Sequence, residues 1–165
     1  MKPGSTKQKT DPNGLTTSWS HDDFGRRTLE TRADLTRTAW SYDACSAGPC
    51  WGVNDLRFIV YESRLGSDGA LVRSRQLLFD GLERLRAHQY QRAGGVWTTV
   101  SYAYDALGRL TTETRPYSTT SNGTRDTVFD AVGRITSLRD RDAAGATVRS
   151  TGFAYAGRTT TVTDP

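Results

Sequence analysis

The chain is poor in the residues that build metal centres and acid–base catalysts working at neutral pH. It has two histidines, His21 and His88, and two cysteines among 165 residues. No apolar run approaches the roughly 18 residues that a membrane-spanning helix requires. The basic N-terminus, residues 1–10, has no apolar segment and is therefore not a secretory signal, although export by another route stays open. We accordingly predict no metal site, no cofactor and no membrane span.

Lysine is missing from almost the entire chain. All three lysines (Lys2, Lys7 and Lys9) lie in the first nine residues, and the remainder has 19 arginines against 18 acidic residues. Its net charge is therefore near +1, with arginines and acids interleaved, and this mixed surface argues against a nucleic-acid partner. The change in composition predicts a disordered basic tail, or a remnant foreign to the rest, over residues 1–9.

The most informative stretch is Tyr104–Leu110, which has the pattern of a strand, a tight turn and a second strand. Asp105 to Gly108 fit a type I turn, which favours Asp at its first position and Gly at its fourth. A glycine in the left-handed region directly after such a turn gives the three-residue hairpin with a bulge.

This turn recurs along the chain. Asp80, Asp105 and Asp130 are 25 residues apart, and Asp22 and Asp43 are 21 apart. The frequent threonines and aromatics also favour strands. We predict an all-β array of hairpin repeats over residues 10–165, with a period of about 21–25 residues, forming a curved, extended antiparallel sheet. The predicted structural turn residues are Asp22, Gly25, Asp80, Asp105, Gly108, Asp130, Gly133 and Gly157.

Some copies of the turn depart from the pattern. Asp43 is followed by a cysteine loop instead of a Gly-Arg pair, and the spacing to Asp80 predicts an insertion around residues 44–76. Glu83 stands where other copies have glycine, and a left-handed conformation there would cost about 1 kcal/mol. The last copy is Phe153 to Arg158, with Ala154 at the aspartate position.

These residues resemble the YD-repeat, or Rhs-repeat, family, whose motif is an aromatic, Asp, two variable residues, Gly, Arg and an aliphatic residue. Tyr104–Leu110 and Phe129–Ile135 match it fully, and Asp22–Arg26 matches it in part. The resemblance implies a segment of a β-shell, as in Rhs proteins, the B and C components of insecticidal toxin complexes, and teneurins.

What the resemblance implies is a non-enzymatic structural module. In the bacterial toxins such a shell encloses a C-terminal toxin domain, and the parent proteins are secreted or on the cell surface. The implied partners are neighbouring repeats and a C-terminal toxin cargo. Unpaired terminal strands separately predict either a curved open sheet or association with further copies of the chain. The motif carries over turn residues only, and no catalytic residue.

The aromatic residues leave an alternative open. Trp19, Trp40 and Trp97 lie in strand patterns with polar neighbours, and exposed tryptophans can stack on sugar rings in a carbohydrate-binding surface module. The competing interpretation is packing between neighbouring hairpins through cross-strand pairs.

The remaining chemistry-bearing residues favour structural roles. Cys45 and Cys50 close a small loop and could form a disulfide in an oxidising compartment. His21 lies on a strand face with Thr17 and Trp19, and His88 has no partner in view, so packing is the favoured role for both.

Overall fold

A computed structural model describes residues 7–45, 55–92 and 95–164. Within these ranges the regular structure consists of strands, and no helix there is long and apolar enough to cross a membrane. The strands are β1 Gln8–Thr10, β2 Thr16–His21, β3 Arg27–Thr31, β4 Arg37–Ala44, β5 Leu56–Leu65, β6 Leu71–Asp80, β7 Leu85–Gln91, β8 Trp97–Tyr104, β9 Leu110–Thr114, β10 Thr124–Phe129, β11 Ile135–Arg141, β12 Thr147–Ala156 and β13 Thr159–Thr163.

The strands form one open antiparallel sheet in which each strand pairs with its neighbours in sequence. This arrangement confirms the prediction of an all-β array of hairpins. Because every connection joins adjacent antiparallel strands, the turns alternate between two edges of the sheet. The turn edge holds the connections β2–β3, β4–β5, β6–β7, β8–β9, β10–β11 and β12–β13, and the opposite edge holds the others.

Strand β1 begins at Gln8 and pairs with β2. Gln8 and Lys9 are therefore part of the sheet, and the prediction of a disordered tail over residues 1–9 is wrong for these two residues. Lys7 also contributes a backbone carbonyl that accepts a hydrogen bond from the Trp19 N–H at 2.8 Å. The physical reason is that pairing with β2 satisfies the backbone groups of a polar segment that cannot bury apolar surface.

Strand β5 and the first part of β6 lie inside the insertion predicted around residues 44–76. They continue the ladder without a break, since β5 pairs with β4 over Arg37–Ala44 and with β6 over most of its length. The irregularity is thus confined to the connection between Ala44 and Leu56. Most of that connection, residues 46–54, lies outside the described residues.

The small core sits where these longest strands meet. Leu56, Ile59 and Leu78 are almost fully buried, with Cys45, Tyr61 and Ala87 packed against them. Ile59 is opposite Leu78, and Leu78 is opposite Ala87, so these side chains share one face, here called the core face. Most other side chains in the described sheet are only half-buried, as expected for a single layer.

The other face carries a polar and aromatic row. Trp40 is opposite Glu62 on β5, Glu62 is opposite Arg75 on β6, and Arg75 is opposite Tyr90 on β7. Because strand side chains alternate between faces, this tryptophan face is the reverse of the core face.

Candidate functional site: the turn edge and its arginine–aromatic contacts

Four turns on the turn edge share one backbone geometry. In each, the N–H of the fourth residue donates to the carbonyl of the first, as Gly108 does to Asp105 at 3.0 Å. The strand pairing shifts by one residue just before each turn, which is the bulge of a three-residue hairpin. The fourth residues have left-handed φ values: Gly25 81°, Glu83 59°, Gly108 80° and Gly133 88°.

The aspartate at the start of each turn makes the same three bonds. One oxygen of Asp105 accepts the backbone N–H groups of Leu107 at 2.9 Å and Arg109 at 3.0 Å, and the other accepts the Arg109 Nε–H at 2.7 Å. Asp22, Asp80 and Asp130 repeat this set with Arg26, Arg84 and Arg134. The carboxylate therefore fixes both the turn and the guanidinium that follows it.

These bonds favour the ionised aspartates. The backbone and side-chain hydrogen bonds from Arg109 hold the pKa of Asp105 below its ordinary value, and Arg134 does the same for Asp130. Burial alone would raise the pKa of Asp80, but the hydrogen bonds from Arg84 and Leu82 and the charge of Arg84 together outweigh burial, and the pKa is lowered. Low pKa values suit a permanent ion pair and not a general acid working near neutrality.

Each of these arginines also reaches the next repeat. The guanidinium carbon of Arg109, just before β9, lies 4.5 Å from the centre of the Phe129 ring, at the end of the neighbouring strand β10. The corresponding distances are 4.3 Å for Arg26 over Tyr42, 4.8 Å for Arg84 over Tyr104 and 4.4 Å for Arg134 over Tyr155. One repeat is thus joined to the next by a cation–π contact.

The tyrosine hydroxyls add a second link between repeats. Tyr42, Tyr104 and Tyr155 each donate a hydrogen bond of 2.7–2.8 Å to the backbone carbonyl of the residue that follows the stacked arginine. Phe129 has no hydroxyl, and there Arg109 Nη1 donates instead to the Asp130 carbonyl at 3.3 Å. The motif aromatic is therefore a contact between neighbouring repeats as well as a strand residue.

The contact series is interrupted at the β4–β5 connection. Asp43 is not followed by the Gly-Arg pair, and Phe58 lies beside the ring of Phe79 with a centroid separation of 6.2 Å. Phe58 also stacks on Tyr42 at 6.1 Å. An aromatic row thus replaces the arginine contact where the cysteine-containing connection replaces the turn.

The structure corrects the alignment of the last copy. Arg134 lies over Tyr155, so Tyr155 is the motif aromatic and Ala156, not Ala154, stands at the aspartate position. Strands β12 and β13 pair without a register shift up to Ala156 and Thr159, which leaves a two-residue turn with Gly157 at φ 58°. Positive φ at the first central residue alone is typical of a type II′ turn. Because the carboxylate is absent, this turn has neither the bulge nor the arginine bond.

Trp19, Trp40 and Trp97 are half-buried and lie apart from the turn edge contacts. The indole N–H of Trp19 donates to Glu30 at 3.0 Å, and that of Trp40 donates to Glu62 at 3.2 Å. Trp97 begins β8 opposite Gln91. The first two rings are therefore held by carboxylates on the neighbouring strand, which the sequence pattern did not reveal.

Glu62 is the most enclosed of these carboxylates. It accepts a 2.6 Å hydrogen bond from Arg75 as well as that of Trp40, and Arg64 lies 3.5 Å away. Burial acts to raise its pKa, but the hydrogen bonds from Arg75 and Trp40 and the charges of Arg75 and Arg64 together outweigh burial, and the pKa is lowered. Glu62 is consequently an ionised partner of Arg75, which suits a structural role.

The two histidines lie in different surroundings. His21 ends β2, opposite Arg27. His88 lies opposite Leu77 and Val100, with a buried Nε2 that has no hydrogen-bond partner, and burial followed by the charges of Arg75 and Arg73 lowers its pKa. In the part of the chain that the structure describes, no group of three His, Cys, Asp or Glu side chains could hold a metal ion.

Cys45 is disulfide-bonded and packs against the core. Cys50, its predicted partner, lies outside the described residues, so the Cys45–Cys50 pairing stays a prediction.

Comparison with known proteins finds a similarity to one repeat family. The family model described as RHS Repeat matches residues 6–37, a segment that includes the first Asp22–Arg26 turn. This segment is similar to an RHS repeat. No curated protein sequence matches the chain.

One solved structure shares the fold of this sheet. A chain of the Photorhabdus luminescens Tc holotoxin pore is 14% identical, with a TM-score of 0.58, and the match covers 96% of this chain and 10% of that one. A TcdB2–TccC3–Cdc42 crystal structure matches at 12% identity over 90% of this chain and 10% of that one, but its TM-score of 0.27 carries no weight. The chain spans about a tenth of the length of these solved chains.

Proposed function

We propose that this RHS-repeat sheet forms part of the wall of a hollow shell that encloses or presents a C-terminal toxin or effector domain of a larger, secreted or cell-surface protein. The observation that carries the proposal is the regular link from each turn to the next ring, from Arg26–Tyr42 to Arg134–Tyr155. The same contact can join any number of repeats into one sheet, and its repetition suits a structural role. The similarity of nearly the whole chain to part of a Tc holotoxin chain supports the same role.

The test uses the complete gene product. The reading frame beyond the codon for Pro165 is sequenced, and the full-length protein is subjected to limited proteolysis beside its separately expressed C-terminal domain. Enclosure predicts that the domain survives in the full-length protein under conditions that digest it when free. A reading frame without a further domain, or equal digestion rates in both settings, would refute the proposal.

A carbohydrate-binding surface is the second candidate, and one feature favours it. A cleft of about 470 Å³ lies on the side of Trp19, between two turns of the opposite edge, and is lined by Leu15, Thr17, Arg32 and Asp34 among others. An indole wall with polar groups around it is a common arrangement for stacking a sugar ring.

This candidate predicts saccharide-dependent quenching of tryptophan fluorescence that is lost in Trp19→Ala. Trp97→Ala is the matched control, because Trp97 does not line the cleft. No response across a broad glycan panel, or equal loss in both variants, would eliminate the cleft as a sugar site.

A further inference from the structure

The tryptophan face carries a group of arginines with few acidic partners. They are Arg64 on β5, Arg73 and Arg75 on β6, and Arg92 directly after β7. We call these four residues the arginine patch. Arg64 and Arg73 stand directly opposite each other in the β5–β6 ladder. Because like charges at directly opposite positions destabilise a pair of strands, a negative charge bound here would stabilise the sheet.

The protein supplies only part of that negative charge. Glu62 lies 2.6 Å from Arg75 and 3.5 Å from Arg64, whereas Arg73 and Arg92 form no ion pair with any residue that the structure describes. Asp68, on the adjoining β5–β6 turn, accepts the Ala70 N–H at 2.9 Å within its own turn. The patch thus combines four guanidinium groups with one carboxylate, which leaves a net charge of +3.

Tyr90 brings the two arginines that lack an acidic partner to one place. The guanidinium carbons of Arg73 and Arg92 lie 5.9 Å and 5.8 Å from the centre of its ring. Arg92 Nη2 also donates to the Tyr90 hydroxyl at 3.5 Å. Both arginines are exposed, so a ligand can reach their N–H groups from solvent.

Two buried nitrogens beside the patch have no hydrogen-bond partner. They are Nε of Arg75 and Nε2 of His88. The His88 ring centre lies 5.6 Å from that of Tyr90, and burial followed by the charges of Arg75 and Arg73 lowers the pKa of His88. Buried polar groups almost always have a partner, and a bound ion or water supplies it where the protein does not. The excess positive charge and the unpartnered nitrogens therefore occur in the same region.

The charge of the patch indicates the class of ligand. Guanidinium groups match both carboxylates and phosphates, because each can accept two parallel N–H bonds. A carboxylate brings one negative charge, whereas a phosphate group brings about −1.5 to −2 and three acceptor oxygens. Phosphate therefore suits a net charge of +3 better. The charges of the chain as a whole are nearly balanced, which favours a single phosphate group over a nucleic-acid backbone.

We propose that the arginine patch binds one phosphate group, either inorganic phosphate or the phosphate of a small phosphomonoester. Arg73 and Arg92 donate to its oxygens, Arg64 and Arg75 add positive charge, and the Tyr90 ring positions the two donating side chains. The inference depends neither on the shell role nor on the cleft beside Trp19, whose lining residues are different.

The test is equilibrium dialysis of the full chain against radiolabelled inorganic phosphate at constant ionic strength. Dialysis measures binding directly, and the general stabilisation that phosphate salts give to folded proteins does not affect it. The patch variant carries Arg73→Gln and Arg92→Gln, which leaves the ion pairs of Glu62 in place. The two replacements are also made singly, so that the assignment can be tested even if the double variant is unstable.

The matched control carries Arg149→Gln and Arg158→Gln. These two arginines are exposed on β12 and on the turn that follows it, so the control and the patch variant have the same net charge. Competition with unlabelled compounds identifies the ligand class. Phenyl phosphate represents a phosphomonoester, and acetate represents a carboxylate.

We expect saturable binding of phosphate to the wild type and binding at least about tenfold weaker in the patch variant, because hydrogen bonds to charged groups contribute about tenfold or more each. The control should stay within about twofold of wild type. Tighter binding of phenyl phosphate than of phosphate would assign the site to a phosphomonoester, and equal binding would assign it to free phosphate. No binding to the wild type at about 10 mM phosphate, an equal loss in the control, or competition by acetate as strong as that by phosphate would overturn the proposal.

Discussion

The double replacement of Arg109 and Phe129 tests whether neighbouring repeats are energetically coupled through the turn edge. Arg109→Ala and Phe129→Leu are made singly and together, and leucine keeps apolar volume while removing the π face. Arg109→Ala also breaks the bond to Asp105, but this loss occurs with and without Phe129 and cancels in the cycle.

The expected coupling follows from the geometry of the pair. The guanidinium lies 4.5 Å from the ring centre, and the Arg109 side chain is 28% exposed. Cation–π contacts contribute about 0.5–1 kcal/mol at exposed sites and about 2 kcal/mol when desolvated. A half-buried pair should therefore show a coupling of about 1 kcal/mol, or about fivefold in the unfolding equilibrium constant.

The measurement is urea unfolding followed by circular dichroism and tryptophan fluorescence. The two probes must coincide before free energies are extracted, since repeat arrays do not always unfold in one step. The control cycle combines Arg84→Ala with Phe129→Leu, because Arg84 contacts Tyr104 and not Phe129. The control should be additive within about 0.5 kcal/mol. A coupling at Arg109–Phe129 no larger than the control would refute the link between repeats.

Three further predictions concern individual positions. Glu83→Gly should stabilise the chain by about 0.5–1 kcal/mol, because relief of left-handed strain exceeds the entropy cost of glycine, and Gly108→Ala should destabilise it. The nearest atom to an added Cβ at Gly108 is 3.9 Å away, so only the backbone is strained there. The urea midpoints of Glu83→Gly and Gly108→Ala should therefore shift in opposite directions, and a shift in the same direction would contradict this reasoning. His88 has a lowered pKa in the folded state, so stability is complete above about pH 6.5 and falls as the unfolded chain takes up the proton. His88→Leu should reduce the difference in urea midpoint between pH 8 and pH 5; an unchanged difference would contradict the role of burial. Peptide mapping without reductant should find Cys45 joined to Cys50, and a Cys50 peptide with a free thiol would disprove the pairing.

The turns could be predicted because their determinants are local. The Asp105 carboxylate bonds to groups two and four residues later, and Gly108 provides the left-handed φ at the fourth position. Such contacts fall within five consecutive residues, so a pattern of Asp and Gly at fixed spacing indicates them directly. Repetition at 25 residues then predicts a hairpin array, because a short hairpin cannot bury its face alone.

A local pattern of this kind does not determine the strand register. The sequence pattern aligns the last copy on Phe153, and only the position of Tyr155 beneath Arg134 identifies the motif ring. The same pattern predicts an insertion around residues 44–76, whereas β5 and β6 are regular strands with the main core residues. Register depends on pairing between segments many residues apart, and a one-residue shift moves every side chain to the other face.

The sequence by itself determined the repeated turn, the hairpin architecture and the resemblance to RHS repeats, because each depends on bonds within one turn or on the recurrence of that turn. The tertiary structure decided what the motif arginine does beyond its own turn. Only when β9 lies beside β10 does Arg109 reach Phe129, and only when β6 lies beside β7 do Arg73 and Arg92 meet at the ring of Tyr90. The reason is physical: strand order brings together residues that are about 20–25 positions apart in the chain, and no local preference encodes that proximity.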